Sequence, residues 1–215
     1  MVSATVMTKI AILVISFFIG FGFYFVVTTD DKASKKKYLD DISSMIINFV
    51  LYIWVGKIIL NIPILIKDPM AVLAFPSNSH SFYLATLLWG LHIGYKVKRN
   101  KLKFNPFLFR FMAIFLYSSF VYEFIQIVWN NEEQTWPYLT LLVILVSGLL
   151  MMEGKVSHRI LTFLLVLGWS AGQWGLELVF ANTTVFGYHL IHWYYLSVVI
   201  VVVLVNMLSK RKKVF

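Results

Sequence analysis

The chain contains no cysteine. That absence excludes disulfide scaffolds, thiol redox relays, thiolate metal sites and thiol nucleophiles together. It leaves the compartment open, since a thiol-free chain suits any. Charge is the second shortage: charged residues make up 13% of 215, against about 25% in soluble domains. No Gly-rich phosphate loop with its Lys is present, so a nucleotide-driven engine of that kind is excluded. There is no large extramembrane stretch and no internal repeat. Seven apolar segments also do not divide into the equal halves common among transporters.

Apolar residues are present in excess. Hydrophobic residues are 60% of the chain and aromatic residues 17%, and the mean hydropathy is +0.78. A water-soluble domain is thereby excluded, and the rings suit contact with lipid and its interfaces. The spacing predicts helices over 7–27, 45–66, 82–97, 107–129, 137–152, 159–181 and 187–208, each near the ~20 residues that cross ~30 Å of hydrocarbon. They are helices because lipid cannot satisfy an open backbone. The first segment lacks a strongly basic leader and a small-x-small cleavage site, so it reads as a span and not a signal peptide.

Basic residues follow every second span. Lys32 and Lys35 to Lys37 follow the first; Lys96, Lys98, Arg99, Lys101 and Lys103 the third; Lys155 and Arg159 the fifth; and Lys210 to Lys213 the seventh. The opposite loops hold only Lys67, with Lys9 near the N-terminus. The positive-inside rule then places the N-terminus outside and the C-terminus inside. A formal net charge of +9 would suggest nucleic acid in a soluble protein; here it marks topology, and no nucleic-acid partner is expected. The terminal basic run is a stop-transfer signal or a contact with anionic lipid. The outer loops are 67–81, 130–136 and 181–187, with Trp129, Trp136, Tyr138, Tyr188 and Trp193 placed for an outer aromatic belt. The expectation is a single all-α transmembrane domain over 1–215, multi-pass in a plasma membrane.

Polar side chains inside such spans are expensive and are functional candidates by default. With this orientation Glu123, Gln126, Gln173 and Glu177 lie in the outer thirds of the fourth and sixth helices. His189 and His192 lie in the first turns of the seventh, and Tyr83 opens the third on the same side. Glu123/Gln126 and His189/His192 are spaced i,i+3 and Gln173/Glu177 i,i+4, so each pair would share one helix face. Two readings stand: these groups are interfacial and wet, or they line one polar cavity open to the outer leaflet. Long apolar runs around Glu123 and Gln173 favour the cavity. Lys57 would snorkel or pair with a carboxylate, His80 sits in the outer loop beside the cavity, His92 reads as a hydrogen-bonded packing residue, and His158 reads as solvated.

A family pattern is visible in these residues. Asn61-x-Pro63-x4-Asp68-Pro69, then Ser81-Phe82, then Lys98-Arg99-x-Lys101 resembles prolipoprotein diacylglyceryl transferase, a family of seven helices with the N-terminus outside. Gly168-Trp169-x-Ala171-x-Gln173-x3-Glu177 resembles that family's Gly-aromatic-Gly-Ala-x-Arg-x3-Glu segment. The likeness runs across 35–208 and is strongest in 61–103. It departs at the family's working residues. Tyr83-Leu84-Ala85 stands where the family has His-Gly-Gly, Tyr122-Glu123-Phe124-Ile125-Gln126 where it has Gly-Arg-x-Gly-Asn, Gln173 where it has Arg, and Tyr188-His189 where it has Gly-Gln. The family's head segment between the fourth and fifth helices is also largely missing.

These departures argue against the parent activity. Phosphatidylglycerol needs cations aimed at its phosphate, which Arg meets with a bidentate fork. Glu in place of Arg reverses that charge. Tyr83 is a poor substitute for His at neutral pH, since a phenol ordinarily titrates near 10. The resemblance therefore implies a lipid-admitting fold without ordinary diacylglyceryl transfer, in a bacterial plasma membrane. Three functions are carried forward. One is an outer-leaflet cavity that binds or modifies a membrane lipid or other amphiphile; if it performs transferase-like chemistry, Glu123, Glu177 and Tyr83 carry it, while Gln126, Gln173, His189, His192, His80 and Lys57 contact the ligand. The second is a non-catalytic subunit or scaffold for a membrane protein partner. The third is a metal enzyme using His189, His192, Glu123 and Glu177, a donor set suited to Zn²⁺, Mn²⁺ or Fe²⁺. The first two need no cofactor.

Overall fold

The computed structural model describes residues 4–28, 30–68, 72, 77–180 and 183–211. Pro69 of the Asp68-Pro69 pair, residues 181–182 of the third outer loop, and Lys212 and Lys213 lie outside the described residues. Among the described residues the fold is all-α apart from one short hairpin. In chain order the elements are α1 (Ala4–Val27), α2 (Lys32–Leu60), α3 (Ile62–Lys67), α4 (Ser79–Lys98), α5 (Phe104–Asn130), a 3-10 turn (Glu133–Thr135), α6 (Trp136–Met152), α7 (His158–Val179), β1 (Thr184–Val185), β2 (Tyr188–His189) and α8 (His192–Arg211). By length and composition, three described helices are long and apolar enough to cross a membrane: Met7–Val27 within α1, α2 and α5. Two shorter apolar helices are Trp136–Met152 and His192–Leu204. The described chain is thus largely helical and compatible with a membrane protein.

The chain divides into two compact units, residues 1–11 with 30–107, and residues 12–29 with 108–215. The first is built on the pair α2 and α4. Asp31 caps α2, its carboxylate accepting from the Ser34 N–H at 3.1 Å, so the helix begins before the lysine run. This corrects the expected start at residue 45: a good N-cap and helix-tolerant Lys residues draw the presumed loop into the helix. At its other end α2 stops at Asn61, whose side-chain amide donates to the Lys57 carbonyl at 2.7 Å. The chain restarts as α3 with Pro63 in its first turn, where a missing N–H costs nothing. The expected span over 45–66 is therefore broken at 61.

α4 begins at Ser79, earlier than the predicted 82, because Asn78 caps it by accepting from Ser81 N at 3.0 Å and Ser81 Oγ at 2.9 Å. α2 and α4 approach closely where Gly56 faces the Ser81 backbone. Further along, Phe49 meets Phe82 and Trp89 edge-on, and the Trp89 indole donates to the Met45 carbonyl at 3.0 Å. His92 is a packing residue here, sharing a 2.8 Å hydrogen bond with the Tyr52 hydroxyl.

In the second unit, α1 contributes a buried stripe at every fourth position: Ile12, Ser16, Gly20, Tyr24 and Thr28. The i,i+4 spacing puts all five on one face. The small members let another backbone come near, as membrane helix pairs require. At Gly20 the neighbour is Ser118 of α5, whose hydroxyl and backbone would collide with any added Cβ. α6 buries Tyr138, Leu139, Leu142 and Leu149, and α7 buries Leu161, Leu165, Val166, Trp169, Ser170 and Gln173. Ile160, Leu164, Trp174 and Leu178 form the opposite, exposed face of α7, as a lipid-facing helix would present them.

The last expected helix, from 187, instead starts at His192. Residues 184–189 form an antiparallel hairpin pairing Thr184 with His189 and Val185 with Tyr188. Its two turn residues, Phe186 and Gly187, both have positive φ, 50° and 81°, the geometry that a right-twisted two-residue hairpin demands. His158, expected as a loop residue, opens α7 and stacks on Phe109 at 4.3 Å.

Candidate functional site

Short connections place the C-terminal ends of α5 and α7 and the N-terminal ends of α6 and α8 together at one end of the second unit. Trp129, Trp136, Phe180 and Trp193 are exposed at this end. Tyr138 does not join them, although its position two residues after Trp136 suggested an interfacial belt. One turn into α6 its ring points inward and is fully buried, and its hydroxyl accepts from the Trp169 indole N–H at 3.1 Å.

Tyr138 is the hub of a polar cluster. Ser119 of α5 and Gln173 of α7 stand close enough to bias its hydroxyl, and the Glu123 carboxyl is near enough to act on it electrostatically. Neither Ser119 Oγ nor the Gln173 amide reaches a hydrogen bond of good geometry. Glu123 is 1% exposed and Gln173 0%. Both carboxyl oxygens of Glu123 and both amide atoms of Gln173 are buried without a hydrogen-bond partner. The Ser170 hydroxyl on α7 is in the same condition. Unsatisfied polar atoms are uncommon in protein interiors, because each forfeits the partner it had in water.

Gln126 is differently placed. It is buried, as the i,i+3 spacing from Glu123 led one to expect, but its amide is engaged along α5. Its Nε2 donates to the Tyr122 hydroxyl at 2.8 Å, and its Oε1 accepts from Asn130 Nδ2. The Tyr122 hydroxyl abuts the hairpin turn, lying 3.3 Å from where a Cβ on Gly187 would stand. Phe186 of the same turn packs its ring on Phe17, Phe115 and Tyr122 at 5.3–5.7 Å.

Glu177 lies one turn beyond Gln173, towards the exposed end of α7. Its Oε1 faces His192 Nδ1 at 3.9 Å, and the two side chains are 13% and 46% exposed. Its Oε2 is buried without a partner. His189 lies on the exposed edge of the hairpin, its Nδ1 3.2 Å from the Thr183 carbonyl. Because His189 is in a strand and His192 opens α8, the two do not share the helical face expected for them. Among the described residues no three His, Asp or Glu side chains converge on a point that could hold a metal ion. The set His189, His192, Glu123 and Glu177 is thus not assembled as a metal centre.

The remaining candidates belong to the first unit. Tyr83 is half-buried in the second turn of α4, with the ring of the exposed His80 edge-on to it at 6.1 Å. Lys57 is buried in the last turn of α2, its ammonium 5.3 Å from the centre of the Trp54 ring, a cation–π contact.

Tyr138, Ser119 and Ser170 were not foreseen from the sequence. A signal existed for the serines: Ser119-x3-Glu123-x2-Gln126-x3-Asn130 and Ser170-x2-Gln173-x3-Glu177 are polar stripes at helical spacing. Comparison with models of protein families, with curated proteins and with solved structures finds no match to this chain.

Proposed function

We propose that the polar cluster of α5, α6 and α7 binds the headgroup of a membrane amphiphile entering from the outer leaflet. In this reading α1, α2 with α3, and α4 to α8 make seven spans of a bacterial plasma-membrane protein. The N-terminus is outside and the C-terminus inside, and the tryptophan-rich end of the second unit meets the outer interface. The alternation of basic runs supports that orientation, and the exposed Trp129, Trp136 and Trp193 fit an interfacial girdle.

The observation that carries the binding role is Glu123, a carboxyl buried among apolar helices with neither oxygen hydrogen-bonded. Retaining such a group in a membrane helix is costly, and a headgroup that bonds to it removes the cost. Gln173 beside the same hub repeats the pattern. The resemblance to the diacylglyceryl transferase pattern supplies the route, a lateral lipid entrance. Its missing arginines remove the phosphate-binding part, so the proposal is recognition of a different headgroup without lipoprotein modification. The protein extracted in mild detergent should carry a bound lipid in native mass spectra. The adduct should be lost in Glu123→Gln and weakened in Glu177→Gln. Co-purification of a second polypeptide with no lipid adduct would instead support a scaffold.

A further inference from the structure

We infer that the headgroup taken by this site is a primary ammonium, seated against Glu123. This rests on the amphiphile-binding reading above and names its ligand. The first ground is charge. No Lys or Arg occurs between Arg110 and Lys155, or between Arg159 and Lys210. Among the described residues, Arg110, Lys155, Arg159, Lys210 and Arg211 therefore fall at the helix ends opposite to the site. Glu123, Glu132 and Glu177 belong to the site's end, where His192 faces Glu177 at 3.9 Å. An anionic headgroup would enter a region that repels it; a cation would be drawn in.

The second ground is independent of charge and separates ammonium types. Four of the site's partnerless atoms are carboxyl or amide oxygens, Glu123 Oε1 and Oε2, Glu177 Oε2 and Gln173 Oε1, and the Ser119 and Ser170 hydroxyls beside them accept as well as donate. An ionised carboxylate only accepts, while a primary ammonium carries three N–H donors and no acceptor. A quaternary ammonium matches the charge but has no N–H to give. Gln173 decides that this is more than a group of acids. It is a neutral amide, fully buried, with Oε1 and Nε2 both unpartnered, beside Tyr138 and one turn from Glu177 on the same helix. Its Nε2 suits an oxygen neighbouring the ammonium nitrogen. Outward from this point, Glu177 and then the half-exposed His192 lead to Trp193, whose ring lies 5.2 Å from that of His192. The π face of an exposed Trp is a fitting first contact for a cation arriving along the interface.

The test uses the full chain in phosphatidylcholine nanodiscs, with tryptophan fluorescence as the readout and three amphiphiles of one chain length: dodecylammonium, dodecyltrimethylammonium and dodecyl maltoside. Dodecylammonium should bind at least about tenfold more tightly than either of the others, the ratio a charge-assisted hydrogen bond supplies. That selectivity should vanish in Glu123→Gln, fall in Gln173→Leu and persist in Glu153→Gln at the opposite end. The wild-type selectivity decides the matter even where a buried variant fails to fold. Competition by ethanolammonium chloride would identify a free amine as a sufficient ligand; its absence, with dodecylammonium bound, would identify the lipid form, and both support the inference. Equal, Glu123-dependent binding of dodecyl maltoside would overturn the ammonium assignment and leave the amphiphile reading standing. Binding of all three that ignores Glu123 would overturn both.

Discussion

Tyr138→Phe tests the polar hub with a minimal change. The ring keeps its shape and its place in α6; only the hydroxyl is removed. That hydroxyl accepts from the Trp169 indole at 3.1 Å, with the two side chains 1% and 5% exposed. The net loss is therefore not the ~1 kcal/mol of an average hydrogen bond, because the indole N–H stays buried with its partner gone. Orphaning a buried donor costs about 1–3 kcal/mol, while interhelical bonds in membranes average about 0.6 kcal/mol and reach about 1.7. Trp169 cannot swing out, since its ring is held edge-on by Phe115 at 5.2 Å and by Tyr195 at 5.6 Å. The expectation is about 1–2 kcal/mol lost in reversible SDS unfolding. Trp169→Phe in the Tyr138→Phe background should cost less than in the wild type, since donor and acceptor are then removed together. Tyr138→Phe within about 0.3 kcal/mol of wild type, or strict additivity in the double mutant, would refute the buried bond and the inward placement of Tyr138.

Two further outcomes follow from the helix surfaces. Gly20→Ala gains about 1 kcal/mol of helix propensity, but its Cβ meets the Ser118 backbone at 3.0 and 3.1 Å as well as the Ser118 hydroxyl. A net loss of about 1–3 kcal/mol is expected in the same unfolding assay. Gly22→Ala, with nothing within 4 Å, should not destabilise at all. At the start of α2, hydrogen bonds from Ser34 hold the exposed Asp31 carboxyl below the usual carboxylate range. A depressed folded-state value means that the capping contribution is full above the unfolded pKa and disappears as pH falls through the folded one. Amide protection in the first turn of α2, corrected for intrinsic exchange, should drop over that acidic window in the wild type. Asp31→Asn, which accepts the same bond without titrating, should flatten that response.

Periodicity and composition marked where long apolar helices occur, because a continuous apolar face is visible in the sequence, but not where each begins and ends. They failed where a single side chain decides the outcome. Asp31 and Asn78 each moved a helix start by capping, a local bond that hydropathy does not register. Glu123 and Gln173 were recognisable as costly groups from their apolar flanks, and both are buried. What could not be read was which polar groups engage each other. Gln126 has a partner one turn back on its own helix, whereas Glu123, three residues away, has none. Tyr138 was misread because Trp-Pro-Tyr at a helix start has the composition of an interface. Its burial depends on Trp169, thirty-one residues later, a pairing that no local pattern contains.

The hairpin over 184–189 shows how far tertiary packing overrides local preference. A bulky residue at φ 50° is disfavoured by about 1–2 kcal/mol, and an aromatic residue there in a two-residue turn is not what turn statistics suggest, since Asn or Gly is usual at that position. Phe186 offsets the strain by placing its ring on Phe17, Phe115 and Tyr122 together, a contact open only to a side chain projected from the tip. The turn also needs a glycine next for φ 81°, and the Tyr122 hydroxyl would crowd an added Cβ at 3.3 Å. Thr183, Val185 and Leu190 are buried along the same segment, so the hairpin is packed into the second unit by side chains from both its arms and its tip. The two strands satisfy part of each other's backbone through their antiparallel pairing, and the aromatic tip supplies the packing that keeps them in place.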